Sequence, residues 1–403
     1  MSVKPVSVNY PSTEGAECPF PVYEYWRAQA PVYRLPDRPN VYVISRDEDV
    51  RTVARDPVTF SSVGSRTRLN GFGYVGKPTT GDTIVESDPP AHKAKHDLAF
   101  KALKPGRIKE HAGWIQEIVD GLIDRFIERG KCEFVGEFAR RLPVAVTARF
   151  FGIGDEDLPL LEQWADLEVS GLSWMPQDRL DRQRRDGLAM GAYLERLVRE
   201  RNEDPGEDFV SQLIVLQTER DGQADLVEIL AIASNVLAGG AATTQHMLGG
   251  AMLLLLEHPD QLERCRQEPA WIPRVLNEAM RLESSVQWVP RIVTRDTEIA
   301  GTPIPADTYV LVVFASANRD PERFDDPDTF DPSRRNVGDQ IAFGTGIHTC
   351  IGAPLARLEG RIAIERLLTR LRNIRVAAGH EIRHVPSPSF RGLEALPILF
   401  DKA

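Results

Sequence analysis

Ten residues, Phe343-Gly344-Thr345-Gly346-Ile347-His348-Thr349-Cys350-Ile351-Gly352, carry the densest chemistry in the chain. Gly344 and Gly346 permit backbone angles closed to other residues, so the loop can fold tightly and pass close to a flat ligand. Cys350 stands just before Ala353-Pro354-Leu355-Ala356-Arg357-Leu358, a run with helical apolar spacing in which Pro354 suits a first turn. A thiol at a helix N-terminus meets the positive end of the dipole and free N–H donors, which favour the thiolate. A thiolate in a dry, Gly-lined pocket suits a soft metal or a metallocofactor. The ordinary role of a lone cysteine, a buried filler in a turn, competes with this reading.

A second stretch, Leu237-Ala238-Gly239-Gly240-Ala241-Ala242-Thr243-Thr244, lies mid-way along the longest helical run, Leu226 to about Glu257. Adjacent glycines inside a helix cost about 1 kcal/mol each against alanine, so close packing or a flat ligand is expected there. The Thr243 hydroxyl can bond back to a carbonyl one turn earlier. In Asp88-Pro89-Pro90-Ala91-His92-Lys93-Ala94-Lys95-His96, the i, i+4 spacing puts His92 and His96 on one helix face. Glu278 and Arg281, at i, i+3, also share a face, although most such pairs are solvated and contribute little.

The elements that must position these residues follow from the rest of the chain. The 403 residues are 42% hydrophobic and carry a net charge of -10, which argues against a general nucleic-acid binder. No apolar run approaches a membrane span and no signal segment opens the chain, so it reads as a cytoplasmic protein without a membrane anchor. Cys18, Cys132, Cys265 and Cys350 lie far apart, which suits a reducing compartment rather than a disulfide scaffold or zinc site. Length alone allows two or three domains. Residues 1–18 read as a flexible arm. Helix, hairpin and helix follow over 21–55, the hairpin turning at Pro36-Asp37-Arg38-Pro39-Asn40. Residues 60–87 lack periodicity and hold Phe72 and Tyr74. Helices are expected from Lys109 to about Arg129, through Val144 to about Arg149, twice between 158 and 202, and from Asp208 to Gln217.

The pattern F-G-x-G-x-H-x-C-x-G resembles the haem-binding signature of the cytochrome P450 family. Other motifs agree in order: D-P-P-x-H at 88–92, the distal-helix stretch 237–244 resembling A-G-x-[D/E]-T-T but with Ala242 at the acidic position, E-x-x-R at 278–281, and P-x-x-F-x-P-x-R at 327–334. The resemblance runs from about residue 20 to 400. It implies one mainly α domain with small β-sheets over 19–403, a triangular prism of about a dozen helices around haem b. Cys350 would be the axial metal ligand, with Phe343, Gly344 and Gly352 shaping its loop. His92, Arg291 and His348 would hold propionates. His96 stands where relatives have an Arg, and lacks that residue's fixed charge and fork. Gly239, Gly240, Ala242 and Thr243 would form the catalytic turn, with Thr243 managing protons. Glu278, Arg281 and Arg334 would be a structural network. Phe72, Tyr74, Ala238, Val286, Trp288, Val289 and Phe390 would line the substrate pocket, with Gln287 adding one polar contact.

The implied activity is a monooxygenase that inserts one atom of dioxygen into a small hydrophobic or aromatic substrate, by hydroxylation or O-demethylation. A separate ferredoxin and its reductase would supply electrons. Lys93, Lys95, Lys101, Lys104, Arg107, Arg357 and Arg361 would form their basic docking face. One departure stands out: the acid that relatives place before the distal threonine is Ala242. This keeps open an NADH-dependent nitric oxide reductase or a peroxide-driven oxygenase. A non-catalytic haem carrier is a further alternative, but it has no need of the Gly239-Gly240 groove.

Overall fold

The computed structural model describes residues 15–70, 83–103, 105–165, 167 and 177–403. Its first part mixes short elements: α1 (Phe20–Gln29), β1 (Val32–Arg34), β2 (Val41–Ile44), α2 (Asp47–Arg55), β3 (Phe60–Ser61) and α3 (Ser65–Asn70). The helical body follows, with α4 (Ala91–Leu103), α5 (Ala112–Asp124), β4 (Lys131–Glu133), α6 (Arg141–Phe150), α7 (Leu158–Trp164), α8 (Gln177–Glu203) and α9 (Phe209–Asp221). It continues through α10 (Leu226–Glu257), α11 (Pro259–Gln267) and α12 (Ile272–Leu282). The remainder is β5 (Val289–Val293), β6 (Thr297–Ile299), β7 (Thr302–Ile304), β8 (Tyr309–Val312), α13 (Phe314–Ala317), α14 (Ala353–Arg370), β9 (Leu371–Val376) and β10 (Pro397–Lys402).

The architecture is mainly helical with small sheets, as the motifs imply. The expected hairpin is present, Val32 pairing with Ile44 in antiparallel register. Its continuation is not local: β2 pairs in parallel with β8, giving the order β1-β2-β8-β5-β3. The C-terminal strand β10 lies between β4 and β9 in a second sheet.

The 32-residue α10 spans about 48 Å at 1.5 Å per residue. Asp225 starts it by accepting from the backbone N–H groups of Val227 and Glu228 at 3.0 and 3.2 Å. Its first half, with Ile229, Ile232, Ala233, Leu237 and Ala241, packs into an apolar cluster shared with α6, α8 and α9. Its second half, with Met247, Leu248, Ala251 and Met252, packs into another shared with α5, α12 and α14. The partner change falls between Ala241 and Met247, just past the glycine pair. By length and hydropathy α10 is the one described helix able to cross a membrane, a property that a search for unbroken apolar runs does not detect.

Two expectations need adjusting. The expected helix from Lys109 to Arg129 is shorter, with 3₁₀ turns on either side of α5 and a stop at Gly130, whose φ of +63° suits only a glycine-type cap. Residues 15–18, expected in a loose arm, are tied down: both Glu17 carboxylate oxygens accept from His384, at 3.0 and 2.7 Å, and Arg391 donates to the Glu17 carbonyl at 3.0 Å.

Candidate active site

The cysteine loop closes on itself before opening into α14. The Cys350 N–H donates to the Phe343 carbonyl at 2.8 Å and the Gly344 N–H to Ile341 at 2.8 Å. Gly344 and Gly346 have φ of +74° and +73°, the left-handed region. A Cβ on Gly346 would stand 2.9 Å from the Ala54 carbonyl, so the loop also presses against the end of α2. A Cβ on Gly352 would stand 3.8 Å from the Cys350 sulfur. The Arg357 guanidinium lies over the Phe343 ring, 4.3 Å from its centroid.

Cys350 is exposed, at a concave position crowded by surrounding protein atoms. Burial pushes the thiol above its usual range, although the Gly352 and Ala353 N–H groups and the Arg357 charge oppose this. The helix-terminal donors expected from the sequence are present; desolvation outweighs them.

A buried charge network anchors this loop. Glu278 accepts from Arg281 Nε and Nη2 at 2.8 Å each, from Arg334 Nε at 2.9 Å and from the Asp331 N–H at 3.0 Å. Glu278 and Arg281 are wholly buried and Arg334 is 9% exposed. Arg281 Nη1 reaches the Asn318 carbonyl at 2.9 Å, and Asn318 Oδ1 accepts from the Ile341 N–H at 2.8 Å. A continuous hydrogen-bonded chain therefore runs from α12 to the start of the cysteine loop.

Beside the loop, α4, α3 and β5 bring donors together. The His92 and His348 rings meet edge to face at 4.3 Å between centroids. His348 Nε2 lies 2.9 Å from Ser62 Oγ. Arg291 is 6% exposed, and its Nη1 donates to the Pro290 carbonyl at 2.7 Å. Burial, with Arg291, His92 and Arg66 adding repulsion, pulls His348 down to about 2. Burial and His96 pull His92 down to about 4, and burial and Arg66 bring Arg291 to about 10. Asp88 opposes these shifts on His92 and Arg291, but its oxygens already accept from Ser61 Oγ and the Ser62 N–H at 2.5 and 3.0 Å.

His92 Nε2 and His348 Nδ1 are buried without a hydrogen-bond partner among the described residues. Clustered donors lacking acceptors fit a group bearing carboxylates. His96 is one step removed: its ring sits 5.4 Å from His92 and stacks on Phe100 at 6.0 Å. Ser62 and Arg66 belong to this cluster and escape sequence reading, because they lie in the non-periodic segment.

The distal stretch shows why α10 has two glycines. A Cβ on Gly240 would lie 3.1 Å from Thr147 Oγ1 of α6, a packing reason. A Cβ on Gly239 would meet nothing within 4 Å, and Gly239 is exposed although α10 is buried around it. Ala238, Ala242 and Thr243 share this partly open stripe, while Leu237, Ala241, Thr244 and Gln245 are buried. The helix is unbroken here, so no loosened turn opens a groove; the missing side chains do. Thr243 Oγ1 donates to the Gly239 carbonyl at 2.7 Å, and Ser285 Oγ donates to the Thr243 carbonyl at 2.9 Å.

The expected pocket residues divide. Val286 and Phe390 are partly buried and bridge their backbones, and the Phe390 ring lies 6.4 Å from His246. Val289 faces the apolar cluster of the main sheet. Trp288 does not line a pocket: it is wholly buried with Tyr23 and Trp26, and its indole N–H donates to the Pro388 carbonyl at 2.7 Å. Gln287 is likewise engaged inside the protein, accepting from the Tyr23 hydroxyl at 2.9 Å and donating to the Ser284 carbonyl at 2.6 Å. The segment just before β5 turns these two side chains into the N-terminal core. Phe72 and Tyr74 lie outside the described residues.

Comparison with known proteins gives the family of the whole chain. Residues 174–377 match the Cytochrome P450 family model. Cytochrome P450 monooxygenase PikC of Streptomyces venezuelae is 34% identical over 94% of this chain and 90% of its own length. Erythromycin C-12 hydroxylase of Saccharopolyspora erythraea is 35% identical over 93% and 92%. The solved structure of cytochrome P450 CYP109Q5 from Chondromyces apiculatus superposes with a TM-score of 0.86 at 32% identity, covering 97% of both chains. The chain belongs to the cytochrome P450 family, oxidoreductases that incorporate oxygen from O₂ and bind haem b through a cysteine thiolate.

Proposed function

We propose that the chain is a monooxygenase for a small hydrophobic substrate, with Cys350 as the axial ligand of haem b. The carrying observation is the pairing of the Cys350 loop with a cluster of carboxylate-seeking donors, His92, His348 and Arg291. His92 and His348 would each offer a ring N–H to the propionates, and Arg291 a fixed charge. When bound, the haem supplies reductive activation of dioxygen. Thr243 would hold and pass protons at its Oγ1, with its bond to Gly239 as the resting alternative. Gly239, Ala238 and Ala242 would leave the apolar space in which substrate excludes water.

The basic face would receive a ferredoxin carrying electrons from its reductase. Several of its charges have other partners: Lys93 pairs with Asp97, Arg361 with Glu365 at 2.9 Å, and Arg357 covers Phe343. Lys101 is exposed on α4, and Lys104 lies outside the described residues. The names of the relatives include an erythromycin hydroxylase and steroid monooxygenases, which put hydrophobic small molecules of those two classes first among the candidates. A screen of substrate-induced Soret shifts over macrolides, steroids, terpenoids and aromatic acids tests this. A low-spin band unmoved by any of them, and no product with any ferredoxin, would remove the monooxygenase reading.

Ala242 supports a second reading, an NADH-dependent nitric oxide reductase, because that position then delivers no proton. Anaerobic mixing with NADH separates the two. Reduction of the nitrosyl form without ferredoxin would favour the reductase.

A further inference from the structure

Next to the glycine pair, the Leu237, Ala238 and Ala241 side of α10 faces a crevice that shares only Ala238 with the site described above. It lies between α6, α7, α8 and α10, with Leu161, Trp164 and Met190 as its apolar wall and Ala238 and Ala241 on the α10 side. The space is small and partly open to the outside. A trapped water needs two to four polar partners. The lining offers two side chains with polar atoms, the Thr147 hydroxyl and the Trp164 indole. The hydroxyl is pressed against the α10 backbone, 3.1 Å from where a Cβ on Gly240 would sit. An apolar diatomic needs no such partners and gains contact with every wall.

The crevice and the open stripe share one residue. Ala238 lines the crevice and also stands partly open beside Gly239, Ala242 and Thr243. Ala238 and Ala241 place only methyl groups on the inner wall, and Gly239 and Gly240 place none beside them. Among the described residues, crevice and stripe therefore adjoin at the Ala238 methyl group.

We propose that this crevice is a holding site for dioxygen, and for apolar diatomics of its size, next to the Gly239–Thr243 face. The proposal rests on the oxygen-using chemistry of the family. Its function is to store dioxygen on the protein side of α10, so that supply continues while substrate fills the open side.

The test uses xenon and carbon monoxide as probes on the haem-loaded protein. Xenon-pressurised crystals should show one xenon atom among Leu161, Met190 and Ala241, and Ala241→Leu should abolish it. Carbon monoxide recombination after flash photolysis should lose its slower geminate phase in Ala241→Leu, with bimolecular association slowed at least threefold. Met190→Phe fills the same space from α8 and should act alike if the α10 variant fails to fold. An empty crevice under xenon, or unchanged recombination in a variant that has lost its xenon, overturns the proposal. The position of the reduced, carbon monoxide-bound Soret band reports separately on the haem-thiolate reading.

Discussion

Removing the Glu278 charge should weaken the fold less than removing the Arg281 side chain, although the two form one ion pair. In Glu278→Gln, two buried guanidinium groups lose their counter-ion. Breaking a buried pair costs about 3–5 kcal/mol. Both arginines keep carbonyl partners, however. Arg281 still meets Asn318, Pro327 and Thr329, and Arg334 still meets Asp325, Asp326 and Thr329. The loss should fall near the lower end, about 3 kcal/mol. Arg281→Met strips Glu278 of its closest cation and leaves the Asn318 and Pro327 carbonyls without that donor, at about 1–3 kcal/mol for each unsatisfied group. Its cost should exceed 5 kcal/mol, comparable with the whole stability of many domains. Urea unfolding followed by tryptophan fluorescence gives the ranking. A loss below about 1 kcal/mol for Glu278→Gln, or the reverse order, would refute the reasoning that the network is a buried charge site supported by carbonyls.

Other perturbations separate the remaining elements. Gly239→Ala should raise stability by about 1 kcal/mol in thermal unfolding, since its methyl meets open space, while Gly240→Ala should gain less because Thr147 stands in the way. His92 is held neutral in the folded chain, with its pKa near 4, so the unfolded chain binds the extra proton below about 6.5. Stability of the haem-free protein should therefore rise with pH between about 4 and 6.5 and be lost on acidification, by at most ~1.4 kcal/mol per pH unit from this group. His92→Gln should flatten that part of the pH–stability curve. Thr243→Val removes both the bond to Gly239 and the proposed proton carrier; product formed per NADH consumed should fall severalfold, with hydrogen peroxide accumulating instead. Equal coupling in the variant would assign Thr243 a purely structural role.

Much of the candidate site's local geometry was legible because it depends on short-range spacing. The cysteine loop, the glycine pair, the E-x-x-R spacing and the His92 helix each depend on residues within a few positions of one another, and they form as short-range rules require. What stayed hidden depends on contacts across the chain. The partnership of β2 with β8 joins residues far apart in sequence, and no periodicity marks it. Ser62 and Arg66 join the histidine cluster only through contacts with residues distant in sequence, Ser62 meeting Asp88 and His348 and the Arg66 N–H donating to Glu86. Trp288 and Gln287 were misplaced for the same reason: an apolar residue beside a pocket strand cannot be told from one facing the N-terminal core. The two glycines of α10 also have different causes, Thr147 for one and open space for the other, which only the packing of α6 reveals.

The central claim is that Cys350 supplies a thiolate to haem. Reduced protein exposed to carbon monoxide should give the red-shifted Soret band of thiolate ligation, and Cys350→Ala should lose that band while Cys132→Ala and Cys265→Ala keep it. A normal thiolate band in Cys350→Ala would contradict the account.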